Sequence, residues 1–196
     1  MNIEPIILAG EFVRLEPMTS DHIDGLSEVV FTESLWQWTP TKVRDRADLE
    51  AYINSALSDQ EGGTALPFVT IEKASGKVVG STRFGNIDTV NLRAEIGWTW
   101  VAPEWQRTRV NSEAKLLMLT HAFETWKCNR VELKTDALNE RSRAAILRLG
   151  AKEEGIFRQH MITDSGRLRD TVYFSIINTE WLQIKKNLIE RIYEDR

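Results

Sequence analysis

A polar segment with two arginines lies between a strand-like stretch and a helical pattern. Its six residues are Gln106, Arg107, Thr108, Arg109, Val110 and Asn111. The first turn of a helix has unpaired N–H groups and the positive end of the helix dipole, so such a segment is a natural site for an anion. The plainer interpretation is a solvated connection between two core elements, and this stretch alone favours the plainer interpretation.

Two predicted elements position this segment. Before it, Ile96, Trp98, Trp100 and Val101 are strand formers, and Pro103 ends the run because proline cannot donate to a ladder. After it, the spacing changes to that of an amphipathic helix. The apolar face of this helix carries Ala114, Met118, Ala122 and Trp126, and the polar face carries Glu113, Thr120, Glu124 and Lys127.

The composition limits the class of protein. The 196 residues suffice for one domain with a substantial core, so we expect a single domain over residues 1–196. We place its core at about residues 12–181 and a C-terminal amphipathic helix at residues 179–193. A formal net charge of −4 argues against non-specific nucleic-acid binding. The lone cysteine, Cys128, rules out an intrachain disulfide and a cysteine-based metal cluster, and we expect no metal.

The termini and hydropathy predict a location. The N-terminus lacks the basic region and long apolar run of a signal peptide, and no apolar stretch approaches the roughly 20 residues that a membrane helix needs. A single cysteine suits a reducing compartment. We therefore expect a cytoplasmic protein with neither a membrane nor a nucleic acid as a partner.

The remaining pattern predicts an α+β fold with a mixed, mostly antiparallel central sheet flanked by helices. Alternating or β-branched runs predict further strands at residues 12–17, 68–72, 78–84, 131–135, 151–162 and 168–177. Capping residues and helical spacing predict helices after Thr19 or Ser20, after Asp45 or Asp48, and over residues 139–149 and 179–193. Residues 31–40 are expected to form an aromatic loop and residues 86–91 a polar connection.

Three stretches carry a resemblance to a known family. They are AEIGWTWVAPEWQRTRVNSEAK, LKTDALNERSRAAILRLGAKEEGIFRQH and RDTVYFSIINTEW. Together they resemble the GNAT superfamily of acyl-CoA-dependent N-acyltransferases, and within it the RimJ/RimL-like branch. The resemblance extends from about residue 12 to residue 181 and implies a GNAT-like acyltransferase fold.

The polar segment departs from the family pattern at two positions. The superfamily loop reads Q/R-x-x-G-x-G/A, and Gln106 begins it here, but Arg109 and Asn111 stand where the small residues belong. Small residues let backbone N–H groups approach a pyrophosphate closely. Arg109 must therefore take a negative φ or accept strain, and its guanidinium could compensate by binding phosphate.

The resemblance implies acetyl-CoA as the acyl donor and direct attack of an amine on its thioester. It implies that the strand at residues 98–101, including Trp100 and Val101, holds the pantetheine arm and the oxyanion, and that the polar segment holds the phosphates. It further implies that the Ser142 hydroxyl protonates the leaving thiolate and that Asn139 holds the pantetheine or a water near the sulfur. Both residues could instead be only a helix N-cap and its first turn.

A base must take a proton from the amine, and Glu95 is the first candidate because a partly buried strand carboxylate beside a cleft can be tuned for this role. Its alternative is an ion pair with Arg83 or Arg93 that only fixes the sheet. Residues that could bind the acceptor are Trp36, Trp38, Arg83, Glu95, Trp98 and Tyr173. The aromatic members could equally be ordinary core.

Three hypotheses about the function remain open from the sequence. The first is an N-acetyltransferase acting on a primary amine, either a protein N-terminus or a small molecule, with the modest acidity favouring a cationic acceptor. The second is a catalytically weakened GNAT-fold protein that binds or senses acyl-CoA, motivated by Arg109 and Asn111. The third is an α+β interaction domain that uses its C-terminal helix as the contact face. A monomer and a homodimer are both compatible with the sequence.

Overall fold

The computed structural model describes residues 1–194, and its centre is one eight-stranded sheet. The strands, in chain order β1 to β8, are Leu8–Ala9, Val13–Pro17, Leu66–Glu72, Val78–Asp88, Arg93–Val101, Arg130–Asp136, Lys152–Ile162 and Leu168–Ile177. Their order in the sheet is β1-β2-β3-β4-β5-β6-β8-β7. Asp195 and Arg196, the end of the predicted 1–196 domain, lie outside the described residues.

Neighbouring strands are antiparallel everywhere except between β5 and β6, which are parallel. The predicted α+β class with a mixed, mostly antiparallel sheet is therefore confirmed. A parallel pair needs a long crossover, and the helix predicted after Arg109 supplies it.

Helices cover both faces of the sheet. The five α-helices of residues 1–194, α1 to α5, are Ile23–Ser27, Arg46–Glu61, Arg109–Thr120, Glu140–Arg148 and Asn178–Ile189. Phe68 packs in a core with α3 and α5, while its neighbour Val69 packs in a second core with α1 and α2. Because successive strand residues point to opposite faces, the two cores lie on the two sides of the sheet.

Several predicted boundaries are wrong. The apolar stripe of Ile23, Leu26, Val29 and Val30 predicts a first helix that reaches Val30, but this helix ends at Ser27, although Val30 is still buried. Strand β4 continues to Asp88 through part of the predicted polar connection, because a register shift and a positive φ of 47° at Asn86 carry the strand past a bulge. The two-residue strand β1 was not predicted from the sequence pattern.

The polar face predicted for α3 is also wrong at one position. Glu113 is fully buried, and its carboxylate accepts hydrogen bonds from the backbone N–H groups of Glu11, Phe12 and Val13 at 2.8, 2.8 and 2.7 Å. The cause is the N-terminal turn, which lays unpaired donors over this side of the helix. The carboxylate therefore anchors the start of β2 to α3.

The C-terminal helix covers its own core. The apolar side of α5 buries Trp181, Ile184 and Leu188, and the Trp181 indole stacks on Phe123 at 5.3 Å between ring centroids. The hypothesis of an interaction domain needs this helix face to be free for a partner, but the face packs against the core of the same chain. In the part of the chain that the structure describes, no helix has the length and apolar character needed to span a bilayer.

The sheet opens between its two parallel strands. Arg93–Glu95 of β5 pair with Arg130–Glu132 of β6. Both strands continue beyond this pairing, β5 to Val101 and β6 to Asp136. Beyond Glu95 the described strands diverge, so one edge of β5 faces a gap in the sheet.

Candidate active site

A cleft of about 1760 Å³ occupies this gap. Its walls include the end of β5, the first turn of α3, the start of α4 and the loop before α2. Among the described residues that line it, eleven are Lys or Arg and five are Asp or Glu. The cleft is therefore cationic in a chain of net charge −4, so it suits an anionic ligand better than overall charge indicates.

The first turn of α3 forms one corner of the cleft. Thr108 is the N-cap, and its hydroxyl accepts a hydrogen bond from Val110 N at 3.3 Å and donates to Trp105 O at 2.6 Å. Gln106 joins this corner to the strand, because its Nε2 donates to Val101 O at 2.7 Å. Its Oε1 accepts from the Arg141 guanidinium of α4. The predicted polar segment is thus held at a helix N-terminus.

Arg109 and Asn111 fit this corner without a glycine. Arg109 is the first residue of α3, as the predicted negative φ requires, and its guanidinium lies 5.1 Å from the centre of the Phe12 ring. The positive φ of the segment, 64°, falls at Arg107 instead. The buried Oδ1 of Asn111 has no hydrogen-bond partner among the described residues, so a polar atom is left unsatisfied at this corner.

Strand β5 carries a β-bulge at the cleft. Ser81 pairs with Trp100 and Arg83 with Gly97, so Trp98 and Thr99 together oppose Thr82, and Trp98 has a φ of 49°. Such a bulge takes peptide groups out of the ladder. The peptides that the family resemblance associates with the oxyanion are therefore at the point where the regular β4–β5 pairing is interrupted.

Glu95 lies at the fork of β5 and β6 and is almost fully buried. Its Oε2 lies 2.9 Å from Lys134 Nζ and accepts a hydrogen bond from Asn86 Nδ2 at 2.6 Å. The alternative ion pair with Arg83 or Arg93 is not the one that forms, because Arg83 pairs with Asp59 and Arg93 with Asp88 and Glu132. Both contacts of Glu95 converge on Oε2, which leaves Oε1 on the side of Gly97.

Ser142 and Asn139 lie on the opposite wall, at the start of α4. Asn139 is the N-cap, and its Oδ1 accepts a hydrogen bond from the backbone N of Ser142 at 3.0 Å. The structural role that the sequence left open for Asn139 is thus present. Both side chains also line the cleft, so their predicted catalytic roles stay predictions.

The predicted acceptor residues divide into two groups. Trp36, Trp38, Arg83 and Trp98 line the cleft, but Trp36 is also buried in the second core and donates through Nε1 to Val30 O at 2.9 Å. Tyr173 is not among the cleft-lining residues. It stacks on Phe157 at 4.4 Å between ring centroids, and Lys134 Nζ lies 5.7 Å from its ring.

The buried Arg83 guanidinium packs between two aromatic rings beside the bulge. Its guanidinium carbon lies 4.9 Å from the centre of the Trp98 ring and 5.3 Å from that of Tyr52, and NH1 donates to Asp59 at 3.3 Å. The Tyr52 hydroxyl donates to Trp98 O at 3.4 Å. Cation–π contacts in such a buried place fix the Trp98 side chain against the sheet.

Lys115 is a cleft residue that the sequence reasoning missed. It is buried on α3, and its Nζ donates to Thr82 Oγ1 at 3.0 Å and to Thr99 Oγ1 at 2.6 Å. Burial lowers the pKa of its amine to about 7. No local sequence signal marks it, because helical spacing shows only that Lys115 lies on this helix, and its burial depends on what packs over α3. Among residues 1–194, no group of three His, Cys, Asp or Glu side chains could hold a metal ion.

Comparisons with known proteins identify the family of the chain. The family model described as an acetyltransferase (GNAT) domain matches residues 13–152. The chain therefore belongs to the GNAT acetyltransferase family.

Two individual relatives support the assignment to this family. A Bacillus subtilis (strain 168) protein named "Putative ribosomal N-acetyltransferase YdaF" is 37% identical over 106 residues, which are 54% of this chain and 57% of that protein. The matched segment thus spans less than two thirds of that relative. The crystal structure of a GCN5-related N-acetyltransferase from Brucella melitensis is 34% identical with a TM-score of 0.89, covering 97% of this chain and 87% of that one.

A more distant structure shows the fold alone. Mycobacterium smegmatis RimJ in complex with CoA-disulfide has a TM-score of 0.80 at 24% identity, covering 95% of this chain and 92% of that one.

Proposed function

We propose that the chain is an acetyl-CoA-dependent N-acetyltransferase that acts through one N-acetyltransferase domain. The observation that carries the proposal is the single cleft that joins the first turn of α3 to Glu95 along the opened edge of β5. An elongated donor with phosphates at one end and a reactive group at the other fits such a path. Family membership supports the same donor.

The residues present suit the donor. The N–H groups at the start of α3, with Arg107 and Arg109, would hold the diphosphate, since a helix N-terminus and guanidinium groups both favour phosphate. The edge of β5 at residues 98–101 would pair with the pantetheine arm. When bound, acetyl-CoA supplies an activated acetyl thioester at the fork.

This chain's residues would perform three tasks around that thioester. Glu95 Oε1 would accept a proton from the acceptor amine, while Lys134 and Asn86 hold the carboxylate in place through Oε2. The peptides of the bulge would donate hydrogen bonds to the oxygen on which negative charge develops. Ser142 would relay a proton to the departing sulfur, giving up its own hydroxyl proton as it takes one from the solvent in the open cleft.

The acceptor is a primary amine, and the name of the Bacillus subtilis relative favours the N-terminus of a ribosomal protein. The aromatic wall formed by Trp36, Trp38 and Trp98 would receive the first residues of such a peptide. A small-molecule amine is the other candidate acceptor. The cationic cleft weakens the expectation that net acidity steers a cationic acceptor into the site.

The test is a thiol-release assay with acetyl-CoA and a panel of amines, paired with calorimetric titration of acetyl-CoA. The panel contains peptides with ribosomal-protein N-termini, free amino acids, polyamines and aminoglycosides. Release of thiol that depends on one amine class, with a matching mass increase of the amine, supports the proposal. Tight donor binding with no release across the panel favours the alternative, a catalytically weakened acyl-CoA-binding or sensing protein.

A further inference from the structure

A buried amine ties α3 to the bulge of β5. Lys115 Nζ donates to Thr82 Oγ1 on β4 at 3.0 Å and to Thr99 Oγ1 on β5 at 2.6 Å. The two hydroxyl oxygens are themselves 2.7 Å apart. The three polar atoms form a closed triangle that crosses the β4–β5 ladder where its register shifts.

The hydrogen bonds in this triangle have a direction. A threonine hydroxyl has one hydrogen: that of Thr99 reaches Gly97 O at 3.2 Å when the Thr82 hydroxyl donates its own to Thr99 Oγ1, and we assign this direction. Thr99 Oγ1 therefore accepts from Lys115 and passes a hydrogen bond to the Gly97 carbonyl. The path from the amine ends on the peptide between Gly97 and Trp98, at the start of the bulge.

This path changes the properties of the peptide at its end. Hydrogen bonds in a chain polarise one another, and a carbonyl that accepts a hydrogen bond makes the N–H of the same peptide a stronger donor. The peptide concerned joins Gly97 to Trp98. The N–H of Trp98 is thus strengthened and its peptide plane is held, although the bulge removes that plane from regular ladder pairing.

We propose that Lys115 is a positioning residue for acyl transfer: through Thr99, it orients and polarises the Gly97–Trp98 peptide, which faces the reacting carbonyl. The inference rests on the proposed function and deepens it. In this role Lys115 acts through the Gly97–Trp98 peptide and not on the reacting atoms themselves.

The burial of Lys115 suits this role. A side chain sealed beneath the bulge and held by two short hydrogen bonds has little rotamer freedom, so it fixes its partners. A neutral amine retains two hydrogens, which are enough for both hydroxyls, and an ammonium has three. The array of donors is therefore complete in either charge state.

The position of Lys115 also connects the two ends of the cleft. It is six residues after Arg109, the first residue of α3, and an α-helix rises about 1.5 Å per residue. The same rigid helix therefore presents its N-terminus to the phosphates and its buried amine to the bulge. Movement of one would move the other.

The test uses the full chain and four variants. Lys115→Met removes the donors at similar length, Thr99→Val removes the relaying hydroxyl at equal shape, and the double variant removes both. Thr99→Ser is the matched control, because it restores the hydroxyl that Thr99→Val lacks. For each variant, kcat, the KM for acetyl-CoA and for the acceptor, the thermal unfolding curve and the amide proton shift of Trp98 are measured.

We expect Lys115→Met and Thr99→Val each to lower kcat about tenfold while both KM values change less than about twofold. The double variant should be no slower than the slower single variant, and Thr99→Ser should recover kcat relative to Thr99→Val. The Trp98 amide proton should move upfield in both single variants. Thr99→Val supplies the test if Lys115→Met fails to fold.

Unchanged kcat in a folded Lys115→Met or Thr99→Val variant overturns the inference. Additive losses in the double variant, or a Thr99→Ser variant as slow as Thr99→Val, also overturn it. The failure of the proposed function looks different, because the wild-type chain then releases no thiol with any amine. The Trp98 amide shift reports on the hydrogen-bond path without turnover, so the two failures are distinguishable.

Discussion

Lys134 Nζ lies 2.9 Å from Glu95 Oε2, and this ion pair bridges β5 and β6 at the point where the strands part. The pair therefore lies at the inner end of the cleft, with the carboxylate almost fully buried. It fixes Glu95 so that one oxygen is bound within the chain and the other lies toward Gly97. A proton acceptor held in this way needs no rearrangement before it meets an amine.

Replacement of Glu95 by Gln tests its role as the base. Gln keeps the shape and can still accept from Lys134, but it cannot take a proton. We expect kcat to fall about a hundredfold or more, with little change in acetyl-CoA binding by calorimetry. If Glu95→Gln turned over at the wild-type rate, the carboxylate would only fix the sheet.

Gly97→Ala tests the packing around the same carboxylate. A Cβ at Gly97 would stand 2.9 Å from Glu95 Oε1, and Lys134 and Asn86 prevent the carboxylate from moving freely. We expect a severalfold loss of kcat in a folded protein. The matched control is Gly62→Ala, where the nearest atom to the new Cβ is 3.5 Å away. Equal kinetics for the two variants would contradict a tightly positioned Glu95.

The arginines at the first turn of α3 should contribute to the affinity for the acetyl donor. Arg107→Ala and Arg109→Ala should each weaken acetyl-CoA binding roughly tenfold, since each removes a charge-assisted hydrogen bond to phosphate. The kcat at saturating donor should change little. Arg158→Ala, on strand β7 and outside the cleft lining, is the control. Affinities are compared by calorimetry at one salt concentration, and undiminished binding in both variants would move the phosphates elsewhere.

Ser142 and Asn139 can be separated because only one of them caps the helix with its side chain. The cap bond runs from the backbone N of Ser142, so Ser142→Ala leaves it intact. We expect Ser142→Ala to lower kcat about ten- to a hundredfold without a loss of stability. Asn139→Ala should also cost about 1 kcal/mol in the free energy of unfolding. A Ser142→Ala variant with wild-type turnover would remove this hydroxyl from the reaction.

The burial of Lys115 should make the stability of the folded chain depend on pH. Burial lowers its pKa in the folded chain to about 7 from 10.5, so between these values the unfolded state binds more protons. The stability of the wild type relative to Lys115→Met should therefore rise with pH from about 7 to about 10, by up to about 1.4 kcal/mol per pH unit. Urea unfolding at several pH values measures this difference. Lys77→Met, at an exposed lysine, is the control, and a flat difference for Lys115 would mean that its amine stays charged.

Much of the fold is predictable from the sequence because its signals are local. Alternation predicts β2, β3, β6 and β8, and Asn139 and Gly150 mark the two ends of α4. The extension of β4 is not predictable, because it depends on a bulge at Asn86 whose positive φ leaves no mark in the hydrophobic pattern.

The site is less predictable, since its decisive contacts join distant parts of the chain. The partner of Glu95 is set by the register of two parallel strands that a crossover separates, so the sequence suggested the nearer Arg83 and Arg93. The burial of Glu113 and Lys115 depends on what packs over α3, whereas helical spacing only shows that they share a helix. The net charge of the whole chain also does not show the charge of the site, because the cationic side chains collect in the cleft.

A crystal structure of the wild-type chain with acetyl-CoA tests the proposed function most directly. We predict diphosphate oxygens about 3 Å from the backbone N–H groups of the first turn of α3, and the thioester between β5 and β6 with its carbonyl oxygen at the Gly97–Thr99 bulge. An empty helix corner, or a thioester lying outside the gap between β5 and β6, would contradict the proposal.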